Sequence, residues 1–291
     1  MAQKVLQAGL SMGMSAVSGA YSSQPQPLPE DYNGLKRGKD GNDVQVPLLC
    51  WGAWPWGDTS TFHWSDDESP DLRAAWKKCL ENGLTFVDTA QVYGSGKSEE
   101  ILADLIHNYS PGVDRSKIIV QTKWLPNVTD QGTNVLQLVD APFKQLQKTL
   151  DRMKLTHIDC YPVHGHIHIS SIKQVAQGLA KCVEEGLAKT VGVANYSVKD
   201  MLRMKEAFSR AWYSTRHQPV LGRLSGKYGK DNPPPKEYRF SYDMERVEPC
   251  LRVQRKLAVK HNVNVTAAAL NWNICKGAIP VVGLRKGEQA V

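Results

Sequence analysis

The sequence of 291 residues lacks several patterns that would assign it to a protein class directly. No apolar run reaches the roughly 20 residues of a membrane-spanning helix, so we expect no membrane partner. The six cysteines lie far apart without a C-x-x-C pair, which predicts reduced thiols in a cytoplasmic environment. Lysine and arginine give a net charge of +7 but form no run of five or six, which favours a solvated surface over nucleic-acid binding.

The first 29 residues contain no acidic residue, one lysine and several serines. An organelle transit segment is one interpretation, but such peptides favour arginines, which are missing here. We prefer an irregular arm. We therefore predict a largely irregular arm over residues 1–43, one folded domain over residues 44–291, and a cytoplasmic protein.

Short apolar or β-branched runs alternate with helical patterns along the rest of the chain. The runs occupy residues 46–54, 84–90, 117–124, 157–165, 188–197 and 278–285. Helical periodicity is found between them at residues 71–82, 97–109, 135–153, 171–186 and 198–208. Strands that alternate with helices predict parallel β-α-β units, and near-continuous apolar strands predict a sheet covered on both faces.

Two α/β architectures fit this alternation, a doubly wound open sheet and a (β/α)8 TIM barrel. The open sheet usually carries a G-x-G-x-x-G fingerprint after its first strand. Here the first run leads into GAWPWGD instead. We therefore predict a (β/α)8 TIM barrel, a fold of about 250 residues.

Catalytic groups of such barrels lie at the carboxyl ends of the strands. Five of the predicted strands end close to a polar or aromatic side chain, namely Trp54, Asp88, Lys123, His164 and Asn195. An acid at the end of the apolar run LTFVDTA is unusual for a core position. The barrel explains it, because Asp88 would then lie at the barrel mouth, where its charge has water and partners.

Asp88, Lys123 and His164 combine with Tyr93 into a recognisable acid catalyst. A free tyrosine has a pKa of about 10 and is a poor proton donor at neutral pH. A nearby lysine ammonium lowers that pKa, and an aspartate beside the lysine keeps it charged. A histidine can hydrogen-bond the substrate oxygen and polarise the carbonyl group. Such a set suits carbonyl reduction by hydride from a nicotinamide.

The motif HGHIH at residues 164–168 permits a different interpretation, because H-x-H on one strand face is a spacing of metal ligands. A barrel hydrolase would use His164, His166 and His168 in this way. Two observations count against a metal site. Asp88 is the only carboxylate at the predicted strand ends, and no other strand end supplies a histidine. We predict no metal site and expect His166 and His168 to border the substrate pocket.

Several blocks together resemble the aldo-keto reductases, in particular their plant and fungal NADP-dependent members. They run in family order from about residue 44 to the last residue: FVDTAQVYGSGKSEEIL, TKW, IDCYPVHG, EEGLAKTVGVANYS, GRLSGKYGKDNPPP, AALNW and IPVVGLRKGEQA. The resemblance implies that Tyr93 is the general acid and that Lys123 and Asp88 are the pair that adjusts its pKa. It also implies His164 as substrate orienter and NADPH as hydride donor.

Further cofactor contacts are implied by the same resemblance. Asn195 matches the asparagine that binds the nicotinamide carboxamide, although Ala194 stands where the family has serine. Trp54, on the pocket wall, and Asp88 would border the cofactor. The loop 222–228 would close over the pyrophosphate, and two cations after the last strand favour NADP over NAD. These two segments contribute Gly222, Leu224, Gly226, Lys227, Arg285, Lys286 and Gln289.

The interval between Asn195 and Gly222 departs from the family pattern. A complete reductase builds two helices and two strands there, but one crossover alone needs roughly 10 to 12 residues. We therefore predict that residues 211–221 are irregular and that the barrel is incomplete, also without the family's C-terminal helix. A splicing or gene-prediction artefact and a true variant both account for such a loss.

Taken together, these patterns predict an enzyme, an NADPH-dependent aldo-keto reductase acting on a small aldehyde or ketone. Pyridoxal-like and sugar-derived carbonyls are candidate substrates. One alternative is a catalytically impaired NADP-binding or interaction protein, which the shortened interval and Ala194 favour. The other is the metal-dependent barrel hydrolase.

Overall fold

The structure, a computed structural model, describes residues 44, 46–110, 112–126, 139–166, 168, 170–208, 212–214, 223–226, 228, 232–233, 244–276 and 278–290. The predicted arm over residues 1–43 lies outside this part. The described residues belong to two compact units. The first contains those of Asn33–Thr215 and Val281–Val291, and the second those of Arg216–Pro280. No helix in the described ranges is long and apolar enough to cross a membrane.

One parallel sheet of seven strands forms the centre of the first unit. The strands are β1 Cys50–Gly52, β2 Phe86–Asp88, β3 Ile119–Gln121, β4 Ile158–Val163, β5 Ala188–Val193, β6 Trp212–Ser214 and β7 Val281–Gly283. Their order across the sheet is β6-β5-β4-β3-β2-β1-β7, so β6 and β7 are edges and, among the described residues, no strand closes the sheet. The fold is an incomplete (β/α)8 barrel, which confirms the prediction.

In the described ranges, five α-helices follow the first five strands, and two more belong to the second unit. They are α1 Ser69–Glu81, α2 Lys97–Asn108, α3 Ala141–Met153, α4 Ile172–Glu184, α5 Val198–Ala207, α6 Met244–His261 and α7 Val265–Cys275. Local signals set where they begin. Ser171 and Gln174 form a reciprocal capping box at the start of α4, and the Ser197 hydroxyl accepts from the backbone N–H of Asp200 at the start of α5.

The prediction of an irregular segment over residues 211–221 is wrong for Trp212–Ser214, and the other residues of this segment lie outside the described part of the chain. Trp212–Ser214 form β6, which pairs in parallel with β5 through Val191↔Trp212 and Val193↔Ser214. Aromatic residues favour strands, and the free edge of β5 offers a ladder of hydrogen bonds. Of the described residues between 206 and 224, these three are the only strand.

The register of the sheet places polar side chains in one row. Asp88 is paired with Gln121, Gln121 with Cys160, and Cys160 with Thr190. All four residues are buried. Because residues two apart on a strand share a face, the side chain at position 123 follows Gln121 on the same face and continues this row towards the carboxyl ends of the strands.

Candidate active site

Three polar side chains meet where β2 and β3 end. The Nζ of Lys123 lies 2.6 Å from Oδ1 of Asp88, 2.8 Å from the carbonyl oxygen of Thr89 and 3.1 Å from the hydroxyl oxygen of Tyr93. Asp88 and Lys123 are each 1% exposed. The three acceptors match the three N–H donors of an ammonium group. Lys123 therefore donates to the tyrosine oxygen, and the hydroxyl hydrogen of Tyr93 is left for another acceptor.

A glycine turn holds Tyr93 in place. Gly94 has φ 55°, a conformation that most side chains disfavour. A Cβ at Gly94 would also lie 2.7 Å from the carbonyl group of Gly57. On the other side, the Trp54 ring stacks on the Tyr93 ring with centroids 5.8 Å apart. A glycine at position 94 is therefore required for the close approach of the two loops that carry Trp54 and Tyr93.

His164 and Asn195 complete the cluster. His164 follows β4, and its ring meets the Tyr93 ring edge to face with centroids 5.6 Å apart. Asn195 follows β5 in a left-handed conformation, with φ 58°, and its Nδ2 donates to the carbonyl oxygen of His164 at 2.8 Å. The structure thus brings all four predicted catalytic residues together with Trp54 and Asn195 at the carboxyl edge of the sheet.

Burial and the neighbouring charges together set the pKa values of Tyr93 and Lys123. It raises the pKa of Tyr93 above the ordinary value, because the opposing effect of Lys123 is smaller and Asp88 adds to the rise. Burial lowers the pKa of Lys123, but Asp88 and Tyr93 outweigh it and the net pKa is raised. The predicted lowering of the Tyr93 pKa is therefore wrong for the net shift, although Lys123 acts in the predicted direction.

Gln121 is a member of this cluster that the sequence analysis missed. Its side chain is fully buried, and Nε2 donates to Oδ1 of Asp88, the oxygen that also accepts from Lys123. The strand period of two would have revealed it, since Gln121 and Lys123 must share a face. A neutral donor here fixes the carboxylate without adding a competing positive charge.

A buried acid behind the cluster, Glu99, was also missed. Its carboxylate accepts from the hydroxyl of Thr122, the residue before Lys123, and forms an ion pair with Arg152 of α3. Burial raises the pKa of Glu99 despite these partners. Glu99 lies in the first turn of α2, so the contact ties α2 to α3 and to the end of β3.

The segments expected to hold the cofactor phosphates are described only in part. Gly222 and Lys227 lie outside the described residues, while Leu224 and Gly226 belong to the second unit. Lys286 is exposed just beyond β7, a position and charge that suit a phosphate. The neighbouring guanidinium of Arg285 is bound to Glu68 instead. The residues therefore fit a nicotinamide at Asn195 and a phosphate at Lys286, and they fit a phosphate at Arg285 less well.

The histidines of the HGHIH motif have hydrogen-bond partners within the protein. His166 Nδ1 lies 3.1 Å from Oδ2 of Asp200, and His168 Nε2 lies 2.7 Å from the hydroxyl of Tyr196. Across the described part of the chain, no three His, Cys, Asp or Glu side chains are grouped to hold a metal ion. The geometry gives the hydrolase hypothesis no support.

The stability of the protein is expected to fall on acidification because of His168. Its Nδ1 faces the carbonyl oxygen of Ser170 at 2.6 Å, so Nδ1 carries the proton and Nε2 accepts from Tyr196. Burial lowers the pKa of His168. The unfolded chain, with a histidine pKa of about 6.5, therefore takes up the proton first as the pH falls, and the folded state loses stability below that pH.

Thermal unfolding at several pH values between about 7.5 and 5.5 tests this sign, since the window lies around the unfolded pKa. The melting temperature should fall across the window, and His168→Gln should reduce the slope. Burial also lowers the pKa of His157, so a part of the slope should remain. An unchanged slope in His168→Gln would contradict the assignment.

The cluster of Asp88, Lys123 and Tyr93 lies at the carboxyl edge of a parallel barrel sheet, which is where barrel enzymes carry their active sites. The chain belongs to the aldo/keto reductase family, a family of oxidoreductases, because the model of the "Aldo/keto reductase family" matches residues 48–221. The sequence-based assignment to this family is confirmed.

The chain is similar to characterised proteins over most of its length. It is 25% identical over 296 residues to the chloroplastic pyridoxal reductase of Arabidopsis thaliana, covering 83% of this chain and 76% of that one. The structure of a glycerol dehydrogenase from Gluconobacter oxydans matches with a TM-score of 0.69 at 21% identity, covering 89% and 88% of the two chains. An aldo/keto reductase from Klebsiella pneumoniae, solved with NADP and acetate, matches with a TM-score of 0.58 at 19% identity, covering 89% and 87%. The two structural matches support the fold.

Proposed function

We propose that this protein reduces aldehyde or ketone groups with NADPH as hydride donor and Tyr93 as general acid. The observation that carries the proposal is the buried Lys123 ammonium, bonded to Asp88, Thr89 and Tyr93 at once. Buried ion pairs contribute little to stability compared with apolar residues of the same volume. A buried pair that ends on a tyrosine at the carboxyl edge of a barrel sheet is therefore better explained by chemistry.

The residues suggest how a proton reaches the substrate. Because Lys123 donates to the phenolic oxygen, the hydroxyl hydrogen of Tyr93 remains available, and Tyr93 can donate it to the carbonyl oxygen of a bound substrate. Lys123 continues to donate to the phenolic oxygen and stabilises the phenolate that forms, while Asp88 keeps the ammonium charged and in position. His164, in ring contact with Tyr93, would hydrogen-bond the same substrate oxygen and polarise the carbonyl group.

The cofactor contacts belong to the same proposal. The chemistry that a nicotinamide dinucleotide would supply at this site is hydride transfer to the carbonyl carbon. Asn195 would hold its carboxamide, and Trp54 would border the ring. Lys286, exposed just beyond β7, would meet the 2′-phosphate.

Aromatic rings on the strand-end loops favour a flat substrate. Trp54 contacts Phe62 with ring centroids 5.3 Å apart, and His166 stacks on Tyr196 with centroids 4.9 Å apart. Rings of this kind bind planar, unsaturated molecules well. We therefore propose aromatic aldehydes, pyridoxal-like compounds among them, as the first substrates to examine, in keeping with the similarity to a pyridoxal reductase.

Titration of the full-length protein with NADPH tests the proposal, with quenching of tryptophan fluorescence as the signal. Saturable binding is expected, followed by oxidation of NADPH when an aromatic aldehyde is added. Saturable binding without turnover of any aldehyde would favour the alternative, an impaired NADP-binding protein. A folded sample that binds no nicotinamide dinucleotide would overturn the proposal.

A further inference from the structure

Arg285 lies just beyond the carboxyl end of β7, but all three guanidinium nitrogens are already bound inside the protein. Its Nε donates to Oε2 of Glu68 at 2.6 Å, and its Nη2 donates to Oε1 of the same carboxylate. Its Nη1 donates to the carbonyl oxygen of Phe62 at 2.9 Å. The bidentate carboxylate occupies the edge of the guanidinium that a phosphate would use.

Glu68 is held in this position from its own side. It ends a short 3-10 turn, Asp66–Glu68, and closes a capping box by accepting from the backbone N–H of Ser65. The side chains of Arg285 and Glu68 are 29% and 18% exposed, so water screens the pair only in part. The backbone N–H groups of Arg285 and Lys286 both donate to Oε1 of Gln289. The donors of the segment after β7 are therefore largely satisfied within the protein.

We propose that Glu68 is a specificity-determining residue that suppresses recognition of a nucleotide 2′-phosphate at Arg285. The inference rests on the proposed function, because it concerns the nicotinamide cofactor. The two charges cancel, and a phosphate would have to displace the carboxylate before it could form the same bidentate contact. Exchange of one anion for another at Arg285 gains little binding free energy. This protein therefore discriminates only weakly between NADPH and NADH. Lys286 supplies most of the preference that remains.

The variant Glu68→Gln tests the inference, because it keeps the shape and the acceptor oxygen but removes the charge. Asp67→Asn is the matched control, because Asp67 lies on the same turn and is exposed, and its carboxylate accepts from the Ser65 hydroxyl rather than from Arg285. The probes are adenosine 2′-monophosphate, NADPH and NADH. Fluorescence is a suitable signal, since the indoles of Trp51 and Trp56 both donate to the carbonyl oxygen of Leu284, next to Arg285.

We expect Glu68→Gln to lower the Kd of adenosine 2′-monophosphate and of NADPH by about tenfold or more. This is the change in affinity that one hydrogen bond to a charged group produces. The Kd of NADH should stay within about twofold of the wild-type value, and Asp67→Asn should change the affinities for both phosphates much less. Equal gains in both variants, or weaker phosphate binding in Glu68→Gln, would overturn the inference.

The monophosphate separates this inference from the proposed function. Failure of the wild-type protein to bind NADPH and NADH would count against the proposed function. The response of adenosine 2′-monophosphate to Glu68→Gln would still decide the role of Glu68, because it requires neither a nicotinamide site nor turnover.

Discussion

Replacement of Tyr93 by phenylalanine is expected to lower kcat/KM for an aldehyde by a factor of about 10² to 10⁴, the usual contribution of a general acid. The hydroxyl keeps its hydrogen available for a substrate, since Lys123 donates to its oxygen. The phenylalanine ring can keep the contacts with Trp54 and His164. Affinity for NADPH should therefore change little, and steady-state kinetics with binding titrations would show the separation.

Tyr161→Phe is the matched control for this change. Tyr161 is also fully buried, but its hydroxyl donates to the carbonyl oxygen of Pro142 and not to the cluster. Its loss should reduce stability by about 1 to 3 kcal/mol, as for an unsatisfied buried acceptor, and leave turnover unchanged. Full activity in Tyr93→Phe, or equal losses in both variants, would contradict the role of Tyr93.

The pH dependence of the wild-type protein provides a further control. Burial raises the pKa of Tyr93, so the phenol stays protonated through the neutral range. The rate of reduction should not depend on pH there and should fall only in the alkaline range, as Tyr93 loses its proton. An activity loss that begins near pH 7 would instead point to a histidine, whose ordinary pKa is about 6.5.

The strand ends could be predicted from the sequence because they combine two strong local signals. Apolar runs separated by helical patterns predict parallel strands, and parallel strands place their carboxyl ends on one edge. Asp88 is the last residue of β2 and His164 follows β4 directly. The meeting of Asp88, Lys123 and Tyr93 follows from this topology, since each lies at or just beyond a strand end.

Other features depend on contacts that no short pattern encodes. Glu68 and Arg285 are 217 positions apart in the sequence. They meet because β7 pairs with β1 in the sheet. Whether Lys123 or burial controls the Tyr93 pKa depends on how deeply the site is enclosed. The prediction for Trp212–Ser214 is wrong because the interval is too short for two complete strands, whereas three residues suffice to extend the sheet beyond β5.

Lys123→Met is expected to lower the free energy of unfolding by about 3 to 5 kcal/mol, because it leaves a buried carboxylate without its cation. Gln121 would still donate to Asp88, but a neutral amide does not offset the charge. The carbonyl oxygen of Thr89 would lose a donor as well. Denaturant unfolding would measure the loss, and carbonyl reduction should be lost too, since no cation would stabilise the Tyr93 phenolate.

The double variant Asp88→Asn/Lys123→Met separates the two effects. Neither buried charge remains, and the asparagine oxygen can still accept from Gln121, so most of the lost stability should return. Activity should not return, because Tyr93 still lacks the ammonium. A stable but inactive double variant would mean that the ion pair is needed for the reaction and not for the fold.

Two outcomes would contradict this expectation. If the double variant unfolds as easily as Lys123→Met, the ion pair holds β2 and β3 together. If the double variant reduces aldehydes at the wild-type rate, the proton does not come from a tyrosine assisted by a lysine.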